Sequence, residues 1–443
     1  MKKIYLLVGL LTFVGGLAQV DPEPMNFVHR KLANGLNVVS LRDNSTPSVA
    51  INLYYDVGSK DDPQGRSGFA HMFEHMMFKS TKNMQSEMLD RLTEDVGGFN
   101  NASTRDDFTN YFEVVPSHYL ETLIWAEADR MVNLNVDEQN FSSERDVVKE
   151  EFRQRVLSNP YGMLFGQYFD QLSFDVHPYK RPGIGNLEEL SAATVADANS
   201  FYKTYYRPDN AWLIVVGDFD QKQFDSYVDK YFGAIAKPSE PLKKRNMPVE
   251  PERTKEVRHY KTAPTVPFPA VLINYLAPPS KSEDVPALKI AEVIMASGES
   301  SRLYQSLVYE QKIAQQADFS ADIRVDKGLI YLLAIATEGT SPETLEKALL
   351  TELAELQQTP VSPKELEKAK NRVITQILNQ RETNRGKASA LESAIAYHGD
   401  PAAANQEIAK LQAVTAADIQ RVVNKYISDT NRVVIYYQQN EKN

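Results

Sequence analysis

The 443-residue sequence contains no cysteine. That excludes disulfides, thiolate metal sites, iron–sulfur ligation, a cysteine nucleophile and a lipoprotein anchor. Any metal must be held by imidazoles and carboxylates. A basic excess is also missing: 49 Lys and Arg stand against 59 Asp and Glu, for a net charge of -10. Phosphate backbones need a basic surface, so nucleic acid is excluded as a partner. Beyond the first residues no apolar run approaches the ~20 residues of a membrane span, which excludes stable membrane insertion. Histidine is scarce, with seven in the chain. What remains is ordinary: 42% apolar and 24% charged residues, the make-up of a globular protein, at a length that favours two to three domains.

The N-terminus reads as a secretory signal peptide, residues 1–18. Lys2 and Lys3 precede an apolar run over residues 4–14, and Gly16-Leu17-Ala18 supplies the small residues that a signal peptidase reads. Removing that leader takes the net charge to -12. The expectation is a soluble exported protein, most simply periplasmic. A Pro-rich, charged stretch over residues 237–257 reads as an exposed connector. It divides the chain into residues 22–236 and 258–443. The two sides resemble each other faintly. Residues 49–53 (VAINL) lead through Ser59-Lys60-Asp61-Asp62 to an apolar helical run from Phe69, and residues 271–275 (VLINY) lead through residues 280–284 to a helical run over 287–295. Residues 211–216, 329–336 and 432–437 read as strands, and residues 341–356 and 363–379 as amphipathic helices. Strands and helices do not alternate strictly, so the fold class is α+β.

One constellation carries chemistry. His71, Glu74 and His75 lie in the apolar run GFAHMFEHMMF, residues 68–78. On a helix, residues three and four apart share a face, so the two imidazoles can grip one ion and the carboxylate can reach a water beside it. This HxxEH arrangement is that of a hydrolytic metal site, with the carboxylate as proton carrier. Catalytic zinc usually takes a third protein ligand. Residues 143–153 read as a helix in which Glu144 and Glu151 share a face, while Glu150 points about 100° away. Either member of that pair can supply the third ligand, the other holding a histidine from behind; from the residues alone, a solvated charged helix explains them better.

Together these residues resemble the M16 family of zinc metallopeptidases, which includes pitrilysin, insulysin and the mitochondrial processing peptidase. The similarity covers nearly all of the mature chain, in the manner of the short bacterial members. It takes in HxxEH at 71–75, the ERDVVKEE stretch at 144–151, GGFNNAST at 97–104 with Thr109 and Tyr111, His177-Pro178-Tyr179 with Gly185, and YRPDNA at 206–211. The resemblance implies a clam shell of two homologous α+β domains. It implies one Zn2+ per chain, with His71, His75 and Glu151 as ligands, Glu74 as general base and Glu144 as the carboxylate orienting a ligand. Residues 258–443 contain only His259 and His398, and none between them, so they cannot copy the site. Residues 101–111 read as one exposed strand after a Gly97-Gly98 turn. An edge strand beside a zinc site can take up an extended peptide by β-augmentation, and the resemblance assigns Asn101, Ala102, Ser103 and Thr104 to substrate docking. His177-Pro178-Tyr179 reads as structural, and His29, His118, His259 and His398 as ordinary surface or core residues.

The sequence departs from the family at one point. Active single-chain relatives carry an Arg and a Tyr seven residues apart in the second half. In register with Arg302-Leu303 and Leu307, those positions hold Val308 and Gln315; Arg302 and Tyr309 fall six residues too early and read as packing residues. Donors aimed at a developing oxyanion often supply the largest catalytic contribution. The expectation is therefore a zinc metalloendopeptidase for extended peptides or unfolded segments that works with a homologous subunit carrying the Arg/Tyr pair, as a heterodimer. The competing expectation is a non-catalytic scaffold or peptide-binding subunit of the same fold.

Overall fold

A computed structural model of the chain describes residues 23–243 and 246–440. The expected signal peptide lies outside the described residues. Two sheets organise the rest. The first half contributes β1 (Val28–Lys31), β2 (Asn37–Arg42), β3 (Ser48–Tyr55), β4 (Phe99–Thr104), β5 (Thr109–Pro116) and β6 (Ala211–Gly217), in the order β1-β2-β6-β3-β5-β4. The second contributes β7 (Val257–Ala263), β8 (Ala270–Leu276), β9 (Ala314–Asp322), β10 (Leu329–Ala336) and β11 (Arg432–Gln439), in the order β7-β11-β8-β10-β9.

The faint sequence repeat is a full duplication in the fold. Five strands correspond one for one across the two sheets. β2 and β7 run parallel to β6 and β11, β3 and β8 run antiparallel to both neighbours, and β4–β5 and β9–β10 are antiparallel pairs. The elements read from alternation and capping form where expected. Ser362 caps the helix Pro363–Gln380 by accepting the Glu365 N–H, with proline in the first turn, where its missing donor costs nothing.

Each sheet is hydrophobic on both faces, and the halves exchange elements to cover them. Along β3, Val49, Ile51, Leu53 and Tyr55 face the helices of the first half, while Ala50 and Tyr54 face the other way, as period-2 alternation requires. That second face is covered by Ala388, Leu391, Ala394 and Ile395 on the helix Asn384–His398, which belongs to the second half. In return Leu164, with Tyr161 and Phe169, packs on Leu272, Leu333 and Ile435 of the five-stranded sheet.

Three expectations change. Residues 101–111 are not one strand but parts of two, β4 and β5, joined by a turn; Tyr111 sits on β5 and is fully buried, so of these two strands β4 alone lies at an edge. The connector is not loose throughout: Glu250 is buried and accepts the backbone N–H groups of Asp175, Val176 and His177. Tyr309 does not pack, being 65% exposed, whereas Arg302 forms a two-pronged ion pair with Glu365. Among the described residues no helix is long and apolar enough to cross a membrane.

Candidate metal centre

The HxxEH residues occupy the helix Phe69–Met76. Phe69, Ala70, Met72, Phe73 and Met76 are buried in the core of the first half, which leaves His71, Glu74 and His75 on the opposite, partly open face. The helix begins at Gly68, in the left-handed region at φ 88°. A Cβ there would lie 2.9 Å from the Ile184 carbonyl oxygen, so glycine is required by conformation and by space. With no side chain on Gly68 to cap the first turn, Asp62 does so: its carboxylate accepts the N–H groups of Gly68 at 2.7 Å and Ala70 at 2.8 Å.

The second contributor is the helix Glu138–Phe152, capped by Asp137 on the Asn140 N–H. Its buried face runs Phe141, Glu144, Val148, Phe152. Glu151 borders that face, and Glu150 is exposed and paired with Arg153. The helical spacing therefore sorts the three glutamates as the sequence indicates.

The geometry converges. Glu151 Oε2 lies 3.6 Å from His71 Nε2 and 3.4 Å from His75 Nε2, and the three residues offer ligand atoms all within 4.8 Å of one another. A tetrahedral ion with bonds of about 2.0–2.1 Å spaces its ligands about 3.3 Å apart. Glu151 Oε2 is buried and has no hydrogen-bond partner among the described residues. A buried carboxylate oxygen between two imidazole nitrogens lacks the donor that burial calls for. Two neutral imidazoles and a carboxylate are also a donor set that zinc favours. These residues fit a divalent cation.

Each carboxylate is held from behind. Glu144 Oε2 faces His75 Nδ1 at 3.6 Å, and its other oxygen pairs with Lys79 Nζ at 2.8 Å. Glu151 Oε1 pairs with Arg155 Nη1 at 2.7 Å. Glu74 Oε2 accepts a hydrogen bond from Thr104 Oγ1 at 2.6 Å, at the end of β4. The charges follow. Burial works against the protonated His75 ring, but Glu144 and Glu151 outweigh it and raise its pKa to about 9. Burial, then the neighbouring His75 ring, push His71 down. Glu151 is lowered, first by its contact with His75. Glu144 is lowered because His75 and Lys79 overcome the effect of burial.

The remaining sequence-selected residues are placed as follows. Asn101, Ala102, Ser103 and Thr104 all lie on the edge strand β4; the Ser103 hydroxyl donates to Asn110 on β5, and Thr104 is the one that reaches the HxxEH helix. Val308 is partly buried against the second core, and Gln315 donates to the Ala336 carbonyl. His177 is buried, with Nδ1 accepting the Tyr179 N–H and Nε2 3.2 Å from Asp326, while Tyr179 donates to Asp107; this cluster is structural. Sequence reasoning missed Lys79, Arg155 and Asp62. The first two sit four residues beyond His75 and Glu151, a helical spacing that could have flagged them; Asp62 had no such signal.

The duplicated α+β fold and the single HxxEH helix define a class, the clam-shell proteins of the zinc-peptidase type. Comparison with known proteins agrees. Residues 37–167 match the family described as Insulinase (Peptidase family M16), and residues 192–373 match the Peptidase M16 inactive domain. The chain is 30% identical over 407 residues to the zinc protease PqqE of Helicobacter pylori, covering 91% of each. A crystal structure of a protease from Helicobacter pylori superimposes with a TM-score of 0.89 at 28% identity, over 93% of this chain and 99% of that one. The first half of the periplasmic protease PqqL from Escherichia coli, 19% identical, shares the fold with a TM-score of 0.75 over 95% and 93% of the two chains. The chain belongs to peptidase family M16.

Proposed function

We propose that this protein is an exported zinc metalloendopeptidase that hydrolyses extended peptides or unfolded segments between its two halves. The observation that carries the reading is the convergence of His71, His75 and Glu151 on one point, with Glu74 beside them and tied to the edge strand β4. A zinc ion held by these three would acidify a water and polarise a peptide carbonyl. Glu74 takes the water's proton and later delivers it to the leaving amine. Glu144, braced by Lys79, fixes the His75 ring so that Nε2 faces inward. β4, which carries Asn101, Ala102, Ser103 and Thr104, has a strand on one side only, and on it the Ala102 N–H is held by the Asn101 side chain at 2.8 Å, so an extended peptide can add to it as a further strand once that side chain turns aside. Enclosure between two halves excludes folded substrates.

Val308 and Gln315 offer no cationic or phenolic donor for the carbonyl oxygen. That supports action as the HxxEH-bearing member of a heterodimer whose homologous partner supplies the Arg/Tyr pair. The signal-peptide-like sequence of residues 1–18 supports a periplasmic location.

The test is a quenched-fluorescent peptide assay on the purified chain, alone and with a candidate partner, beside zinc analysis. The wild type is expected to hold about one zinc per chain. Glu74→Gln is expected to keep the zinc and lose at least about 100-fold in kcat. A zinc-free protein, or a Glu74→Gln variant as active as the parent, defeats the reading. Full activity alone, unchanged by any partner, defeats the heterodimer.

A further inference from the structure

Two neighbouring helical residues, Glu151 and Arg155, are joined by an ion pair in which one carboxylate oxygen is used and the other is not. Oε1 receives Arg155 Nη1 at 2.7 Å. Oε2 is buried, has no hydrogen-bond partner among the described residues and faces both imidazoles. Arg155 belongs to the π-helical turn Arg153–Leu157 that directly follows the Glu138–Phe152 helix. π-helical turns recur at functional sites, where they re-aim side chains.

The Arg155 side chain is 73% exposed, and exposed pairs are ordinarily worth little. Two features set this one apart. The carboxylate is only 15% exposed, so the pair is screened on one side only. The backbone beneath Arg155 is also fixed: Val156 is buried, and Gly162 approaches so closely that a Cβ on it would lie 2.4 Å from the Arg155 carbonyl oxygen. The backbone of the arginine is packed while its side chain stays largely in solvent.

We infer that Arg155 is a positioning residue for the metal centre: by occupying Glu151 Oε1 it presents Oε2 alone to the ion, so that the carboxylate binds through one oxygen and a coordination position stays open for water. This rests on the zinc reading of His71, His75 and Glu151 given above. Lys79 does the corresponding work on Glu144, holding Oε1 while Oε2 faces His75. Without the arginine, Glu151 is free to turn. Its second oxygen then competes for the open position, or the carboxylate swings away from the rings.

The experiment uses the full mature chain and three substitutions, Arg155→Met, Arg155→Gln and Arg155→Lys. Zinc affinity is read by competition with a chromophoric chelator, and coordination by the visible spectrum of the Co2+-loaded protein, which loses intensity as a four-coordinate ion gains a fifth ligand. Met and Gln are expected to weaken zinc binding about 10–100-fold and to alter the cobalt spectrum. Lys keeps a cation within reach of Oε1 and is expected to stay within about threefold of the parent. Melting of the metal-free protein should not change, because the Arg155 side chain covers no core. Parental zinc affinity and cobalt spectrum in both Met and Gln variants overturn the inference. Glu151→Gln separates the two levels. If it binds zinc as the parent does, the zinc reading itself falls. If it loses zinc while Arg155→Met does not, only the role of Arg155 falls.

Discussion

Thr104 Oγ1 donates to Glu74 Oε2 at 2.6 Å, joining the last residue of the edge strand β4 to the carboxylate of the HxxEH helix. The same hydroxyl lies 3.4 Å from the Ala70 carbonyl one turn earlier on that helix. The strand proposed to dock substrate and the group proposed to move its proton are thus one hydrogen bond apart. A bond to a charged acceptor contributes about 1.5–3 kcal/mol, close to tenfold or more in rate if the carboxylate must be held still. Thr104→Val, which keeps shape and removes the donor, is expected to lower kcat about tenfold and leave zinc content unchanged. Thr104→Ser should recover most of the loss. Steady-state kinetics beside metal analysis check this; a Val variant with parental kcat contradicts it.

Arg130 is the largest fully buried side chain with a charge. It pairs with Glu127 one helical turn away and with Glu113 on β5 at 3.1 Å, and its guanidinium lies 4.7 Å from the Tyr111 ring centroid. Burial, then the charge of Glu127, hold Glu113 well above the usual carboxylate range. Removing the arginine leaves Glu127 without its counter-ion and Glu113 without a hydrogen-bond donor inside the core. Arg130→Met is expected to cost about 3–5 kcal/mol, read as a lower midpoint in urea unfolding. Adding Glu113→Gln and Glu127→Gln should return part of that loss, because no charge then remains uncompensated.

Much of this was legible in the sequence because it depends on short spacing. HxxEH at i, i+3 and i+4, the seven-residue gap from Glu144 to Glu151, the short apolar run of residues 329–336 and the Ser362-Pro363 cap are each local, and the chain obeys them. What could not be read was distant. Nothing near Asp62 announces that it caps the helix at Gly68 and Ala70, because the partnership depends on a turn whose path is set by tertiary contacts. The turn between β4 and β5 escaped because Arg105-Asp106-Asp107-Phe108 carries no glycine or proline. The exchange of elements between halves escaped for the same reason: a helix's apolar stripe does not say which sheet it covers.

That exchange makes a prediction about truncation. Residues 22–236 read as a self-contained unit, yet the face of the first sheet bearing Val39, Ala50, Tyr54, Ile214 and Val216 is covered by the helix Asn384–His398. Asn52 and Asn110 on that face donate to the two oxygens of Glu392 at 2.9 and 2.7 Å. A fragment ending at residue 236 would expose this apolar surface and deprive both amide NH2 groups of their acceptor. It is expected to be insoluble, or to bind a hydrophobic dye and lack a cooperative melt. Co-expression with residues 237–443 should restore a soluble complex. A monomeric, cooperatively folding fragment would show that the covering helix is dispensable.

One acid-sensitive contact centres on Asp284, which precedes the helix Val285–Ala296 and gathers Arg421 at 2.7 Å, Lys425 at 2.8 Å and the Tyr426 hydroxyl at 2.8 Å from the helix Ala416–Tyr426. Burial alone would raise its pKa, but those three donors outweigh it and lower it from 3.8 to about 2. A carboxyl whose folded pKa is depressed binds its proton more tightly when unfolded, so its contribution is fully present above the unfolded value and fades as pH falls through the folded one. The window runs from about pH 4 down to about pH 2. Asp284→Asn is expected to melt below the parent at pH 6, with the gap narrowing across that window and closing near pH 2. Thermal melts of the two proteins at matched pH values measure it directly. A gap that stays constant down to pH 2 would mean that Asp284 acts through packing and not through its charge.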